Sequence, residues 1–213
     1  MMKSLRIAQV SPLYESVPPR FYGGTERVVS YLTEELVRQG HDVTLYASGD
    51  SITSANLVPM CDQALRLDTA CIDGLAHHIR MIDLVYRNAA YYDVIHSHVD
   101  YLMFPLVRHY PQVPFLTTLH GRLDIPELAP LYGTFYDIPL VSISDSQRVH
   151  LPCGHWMATI AHGVPRTLYD FSREHDGYLV FIGRISPEKR VDTAIDIAVR
   201  SGVPLKIAAK VAD

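Results

Sequence analysis

Residues 178–200 read YLVFIGRISPEKRVDTAIDIAVR. Tyr178 to Ile182 is a β-branched and aromatic apolar run of the kind a buried strand needs. Gly183 interrupts it. Ser186 stands where a helix N-cap belongs, and Pro187 at the first helical position. Val191, Ala194, Ile195 and Ala198 recur at helical spacing on one face, and Gly202 closes the helix. The stretch is therefore a strand, a short turn and a helix. Its turn carries Arg184 and Lys189, on either side of a helix N-terminus whose free N–H groups and dipole favour anions. Such a corner can clamp a diphosphate, but a strand–turn–helix with two cations is common, and Arg184 and Lys189 can simply be solvated charges.

The same alternation runs through the chain before it. Leu5 to Val10 reads as a first strand, and the prolines and glycines of Ser11 to Gly24 as a long loop. Thr25 is placed to cap a helix whose stripe is Val28, Val29, Leu32 and Leu36, ending at Gly40. His41–Ala47 is a second strand and Asn56–Met60 a short one. Leu75, Ile79, Ile82 and Tyr86 mark a helix from about Asp73 to Ala90. Strands follow at Asp93–Ser97, Phe115–Leu119, Leu140–Ile143 and Trp156–Ala161. A helix over Tyr101–Tyr110 is shortened or kinked by Pro105. Strands alternating with helices predict an α/β fold, a doubly wound parallel Rossmann-like sheet. Its domain is expected over residues 1–165, with a linker over 166–176 and the start of a second such domain over 177–213. From Gly177 on, one β–α–β unit is too short for an independent domain and covers only one sheet face. The expectation is a fragment of a longer protein, or a chain that leans on a partner.

Composition excludes several classes. The chain has 213 residues, is 48% hydrophobic and carries a net charge of −4. Mild acidity argues against a nucleic-acid binder. No apolar run approaches the ~18 residues of a membrane span, and Leu5–Val10 is too short for a signal-peptide core. Cys61, Cys71 and Cys153 lack paired spacing, which fits reduced thiols and a cytoplasmic setting. Homo-oligomerisation stays open.

Four further stretches could carry chemistry. Gly23-Gly24-Thr25-Glu26-Arg27 places two glycines before a helix, where backbone can approach a ligand closely. It follows the first strand, at the carboxyl edge where open α/β sheets bind ligands. Glu26 and Arg27 can also be first-turn charges facing solvent. His120 ends an apolar strand and precedes Gly121, so it faces that same edge. His96 and His98 alternate onto one strand face and with His120 could form a zinc site, although no cysteine or second-shell pattern supports one. Among Ser142, Ser144 and Ser146, Ser144 or Asp145 can cap the next helix. Neither a G-x-S-x-G elbow nor a G-x-G-x-x-G loop after the first strand is present, which counts against a hydrolase of that type and a dinucleotide-dependent oxidoreductase.

FIGRISPEKR resembles the G-R-x-x-x-x-K segment of retaining GT-B glycosyltransferases of the GT4 group, and FYGGTERVV resembles their G-G-x-E-R loop. Asp93–His98 and Thr118–Gly121 are similar to family segments too. The resemblance implies a GT-B enzyme moving a sugar from a UDP- or GDP-sugar donor to a sugar, lipid or small-molecule acceptor, without a metal. It implies that Arg184 and Lys189 hold the donor diphosphate, that Gly23, Gly24, Thr25 and Glu26 lie in the donor cleft, and that His120 contacts the donor sugar. Two departures stand out. Ile207-Ala208-Ala209-Lys210 replaces the family's I-A-G-K, and the E-x7-E segment lies beyond Asp213. A chain without that segment is expected to be weak or inactive, and the alternative reading is a non-catalytic α/β binding or interaction fragment.

Overall fold

The structure, a computed structural model, describes residues 3–211. The chain divides into two compact units, one running to Pro165 and the other starting at Arg166. The first contains β1 (Arg6–Val10), α1 (Gly24–Arg38), β2 (Asp42–Ala47), β3 (Asn56–Pro59), α2 (Gly74–Arg87), β4 (Val94–Ser97), α3 (Phe104–His109), β5 (Phe115–Thr118), α4 (Leu128–Thr134), β6 (Pro139–Ser142), α5 (Asp145–Arg148) and β7 (His155–Thr159).

The strands of this unit form one parallel sheet in the order β3-β2-β1-β4-β5-β6-β7. From β1 the chain winds outward through β2 and β3, then returns to add β4 on the other flank and continues to β7. This is a doubly wound, Rossmann-like α/β sheet. The direction reverses between β1 and β4, and such a switch point opens a crevice at the carboxyl ends of the strands.

Side-chain alternation divides the sheet into two unlike faces. On one face Ala8, Val10, Tyr46, Ile95, Phe115 and Leu140 join the main core. Met81, Ile82 and Val85 of α2, Phe104 of α3 and Tyr132 of α4 close over them. On the other face a smaller cluster packs Val29 of α1 on Leu45, Ala47 and Val17. The residues of β1, β4 and β5 on that second face include Gln9, His96 and Thr118.

Several sequence expectations shift in detail. Thr25 does not cap α1: the N-cap is Gly23, with no side-chain bond, and Thr25 lies inside the first turn. Asp73 caps α2, accepting from the N–H groups of Leu75 and Ala76. The buried face of α2 is His78, Met81, Ile82, Val85 and Tyr86, while Leu75 and Ile79 are about half exposed. Met81 and Val85 lie on the strip the sheet covers, and a stripe drawn through Leu75 and Ile79 sits one helix-step to its side. Pro105 shortens the third helix, which begins at Phe104 because proline suits only the first turn. The short helices α4 and α5 were not legible as apolar stripes.

The second unit contains β8 (Leu179–Ile185), α6 (Val191–Ser201) and β9 (Leu205–Val211), the strands pairing in parallel from Leu179↔Leu205 to Ile185↔Val211. Gly183 does not end its strand; it pairs with Ala209 inside the ladder. Pro187–Lys189 form a single 3-10 turn, and α6 starts only at Val191. Arg190 has φ 55°, a left-handed conformation that breaks the path between the two. Gly202 ends α6 at φ 67°, as its lack of a Cβ permits.

Candidate functional site

The switch point is marked by a polar residue in an apolar strand. Gln9 lies on β1 opposite His96 of β4 and is fully buried. Its amide touches two imidazoles, with Nε2 3.4 Å from His96 Nδ1 and Oε1 2.7 Å from His98 Nε2. The far side of His96 reaches Thr118 Oγ1 at 2.8 Å. The far side of His98 reaches His120 Nε2 at 2.9 Å, and His120 Nδ1 meets His162 Nε2 at 3.1 Å. The result is an unbroken chain of hydrogen bonds from Thr118 through Gln9 to His162, crossing from the switch point to the end of β7.

This chain runs from the interior to the surface. His98 is buried, His96 and His120 are partly buried, and His162 is exposed. Burial holds the His96 imidazole down to about 4. It holds His98 well below the ordinary histidine value, with the other imidazoles adding to the effect. Burial, with His162 and His96 nearby, holds His120 down to about 3. Burial lowers His162 as well. The cluster is thus neutral at physiological pH. Its rings are spent on one another in a line, and among the described residues no three His, Cys, Asp or Glu side chains gather as a metal site would require. Beside the line lies a cavity of about 780 Å³. Val28, Leu32 and Glu35 of α1 line it together with Leu116, Val141 and Ile160.

The glycine loop precedes α1 at the same carboxyl edge of the sheet. A Cβ on Gly23 would come within 2.8 Å of Pro19 Cβ, so the turn needs glycine there. A Cβ on Gly24 would meet nothing within 4 Å. Glu26 is turned inward and 6% exposed, so it is not the solvated charge its first-turn position offered. Burial raises its carboxyl, its own backbone N–H opposes that, and the charge of Glu15 adds to it. Arg27 reaches back to the carbonyl of Pro19 at 3.3 Å.

In the second unit Arg184 stands near the end of β8, with Nη2 2.6 Å from Glu188 Oε1. Glu188 is held at about 2 by its own backbone N–H, with Ser186 and Arg184 beside it. Arg184 Nε is buried without a hydrogen-bond partner. Lys189 closes the 3-10 turn and is exposed. Arg184 is thus paired within its own turn by the carboxylate of Glu188. Ser144 caps α5, accepting from the Gln147 N–H at 3.2 Å, as the sequence indicated.

Gln9, Thr118 and His162 are not singled out by the sequence motifs. The available signals were a lone glutamine inside IAQV and a histidine just past the end of a strand, the position His120 also holds. Residues 22–170 match the family model described as Glycosyltransferase Family 4.

The chain belongs to Glycosyltransferase Family 4.

Solved structures of glycosyltransferases share its fold. AviGT4, a glycosyltransferase involved in avilamycin A biosynthesis, matches with a TM-score of 0.66 and 23% identity, over 97% of this chain and 57% of its own. Sucrose-phosphate synthase from Thermosynechococcus elongatus matches with a TM-score of 0.67 and 12% identity, over 96% of this chain and 61% of its own. The catalytic domain of starch synthase IV from Arabidopsis thaliana, bound to ADP and acarbose, matches with a TM-score of 0.63 and 12% identity, over 99% and 69%. This member of the glycosyltransferase family thus spans about three-fifths of the length of the first two. No curated protein sequence matches it. No helix among the described residues is long and apolar enough to cross a membrane.

Proposed function

We propose that this chain supplies the acceptor-side domain and the opening of the donor domain of a retaining glycosyltransferase, working in the cytoplasm. It would move a sugar from a UDP- or GDP-sugar to a sugar, lipid or small-molecule acceptor, without a metal. The observation that carries the reading is the carboxyl edge of the first sheet, where the Gly23–Gly24 loop follows β1 and His120 follows β5. Membership of the family supports it, as does the ADP bound by the starch synthase of like fold.

The residues would act electrostatically. As the sugar leaves, negative charge grows on the departing diphosphate, and fixed donors lower the barrier by stabilising it. Arg184 and Lys189 would take the diphosphate oxygens, Arg184 exchanging Glu188 for phosphate. In the first unit, the amides of Gly23, Gly24 and Thr25 at the start of α1, with Glu26 in the same turn, would offer donors to an anionic ligand. His120 would contact the donor sugar. The acceptor hydroxyl would pass its proton to the departing phosphate oxygen on the same face of the sugar, which needs no protein nucleophile.

A donor screen tests this reading: this chain and the complete gene product are titrated with UDP- and GDP-sugars, and transfer and donor hydrolysis are followed. Donor binding with sugar release is expected from the complete product. A complete product that binds no nucleotide sugar counts against the enzyme. The length comparison favours a second reading, a binding fragment without a whole donor site. Activity in the longer product with no binding here would identify it.

A further inference from the structure

The chain of imidazoles has only one way to place its protons once the Gln9 amide is oriented. An amide oxygen accepts only, so His98 donates from Nε2 across 2.7 Å. An amide nitrogen donates only, so His96 accepts at Nδ1 and gives its own Nε2–H to Thr118 Oγ1. A neutral imidazole has a single N–H. His98 Nδ1 is therefore a lone pair, filled by the Nε2–H of His120 at 2.9 Å. His120 Nδ1 is in turn a lone pair, filled by the Nε2–H of His162 at 3.1 Å. Every hydrogen bond in the line is satisfied by neutral rings with the proton on Nε2. Turning the Gln9 amide over would reverse every donor and acceptor along it.

We propose that Gln9 is a positioning residue which, through His98, fixes the proton of His120 on Nε2, so that His120 offers a lone pair at Nδ1 to a ligand hydroxyl that takes the place of His162. The ligand is of the hydroxyl-bearing class, and the proposal rests on the reading above that His120 faces the donor sugar. Its geometry makes the choice of ligand group selective. A hydroxyl can donate to Nδ1; a ketone, an ether or a phosphate oxygen cannot, and meets a lone pair with a lone pair. His162 is suited to leave because it is exposed and stands at the end of the line, whereas His98 is 2% exposed and held on both sides. The glutamine matters because it is buried on β1 beside His96 of β4, with its amide touching both His96 and His98.

The test needs no donor sugar. The 213-residue chain is labelled with 15N in its histidines, and the protonation of each ring nitrogen is read from long-range 15N–1H correlations at pH 7.5. The expected pattern is a protonated Nε2 and a bare Nδ1 on both His98 and His120. Protons on Nδ1 of those rings, or doubly protonated rings, overturn the proposal. In His162→Ala, His120 is expected to keep its Nε2 proton, because control comes from the buried side; a switch to Nδ1–H overturns that direction of control. In Gln9→Leu, His98 loses its acceptor, and Nδ1–H forms of His98 and His120 are expected; an unchanged pattern removes the role assigned to Gln9. If Gln9→Leu fails to fold by circular dichroism, Gln9→Glu decides. Its carboxylate accepts from both neighbours, so His96 must turn to Nδ1–H while His98 and His120 stay as they are, and a bare His96 Nδ1 overturns the proposal. These spectra stand apart from the donor screen, so loss of the glycosyltransfer reading and loss of the tautomer assignment are separate results.

Discussion

His120 Nδ1 lies 3.1 Å from His162 Nε2, and this contact ties the end of β5 to the segment that follows β7. It closes the only side of the His120 ring not already held by His98. In the proposed arrangement a ligand hydroxyl would reach His120 by displacing a surface side chain rather than by opening the core.

Removing that cap should change the chemistry of His120 more than the stability of the fold. His162 is exposed, and exposed substitutions outside special backbone positions usually shift stability by about 0.5 kcal/mol or less. In His162→Ala the bare Nδ1 faces the cavity, so diethyl pyrocarbonate should modify His120 several times faster than in the parent chain. Peptide mapping of the modified histidine reads this directly, and equal rates would mean that the ring was never capped.

The neutral imidazoles make the fold acid-sensitive. His96, His98, His120 and His162 all have folded values below the ordinary 6.5, chiefly through burial. The unfolded chain then binds more protons, so stability is complete above about pH 6.5 and declines as pH falls toward 4 and 3. Each ring that titrates only when unfolded contributes about 1.4 kcal/mol per pH unit below that point. Glu26 and Asp100, raised by burial, work in the opposite sense, while His78, lowered by burial, adds to the four. Urea unfolding at pH 7.5, 6.5 and 5.5 should show a falling midpoint, and a flat series would mean the rings are solvated.

The two glycines should separate. Gly23→Ala drives a Cβ to 2.8 Å from Pro19 and 3.0 Å from the Glu26 carboxylate, so the loop must move and the chain should lose stability, by roughly 1–3 kcal/mol for such overpacking. Gly24→Ala finds open space and should melt like the parent. A loss of transfer in the Gly24→Ala complete enzyme would then report close approach by a ligand; unchanged transfer would free that backbone from the donor site.

At the strand–helix corner, Arg184→Ala and Lys189→Ala in the complete enzyme should each lower kcat/KM by about 10- to 100-fold, since a charged hydrogen bond contributes about 1.5–3 kcal/mol. Far-ultraviolet circular dichroism should be unaltered. Parent-like turnover in either variant would remove that cation from the diphosphate site.

The main core sets the stability of the first unit. Met81→Ala empties a fully buried position between α2 and the sheet and should cost about 2–5 kcal/mol. Denaturant melts of the parent and the variant measure it.

The alternation of apolar runs and helical stripes determined the doubly wound sheet, because period and breaker residues are local properties that neighbours can only reinforce. It also marked His96 and His98 on one strand face, His120 at the end of another strand, and Arg184 and Lys189 at one corner, since strand alternation and turn position follow from chain geometry. It erred where a local signal met a tertiary one. Gly183 looks like a breaker in its local sequence, yet pairing with Ala209 holds it in the strand. Thr25 is a good local cap, yet the helix starts a residue or two earlier, with Gly23 as N-cap against Pro19 and Glu26. What only the tertiary structure decided is the imidazole line. Gln9 and His162 stand more than 150 positions apart, and nothing near either residue predicts the other. Strand order β1-β4-β5-β6-β7 brings them to one edge of one sheet, and a hydrogen-bonded path exists only between groups that the fold has already placed within about 3 Å of each other.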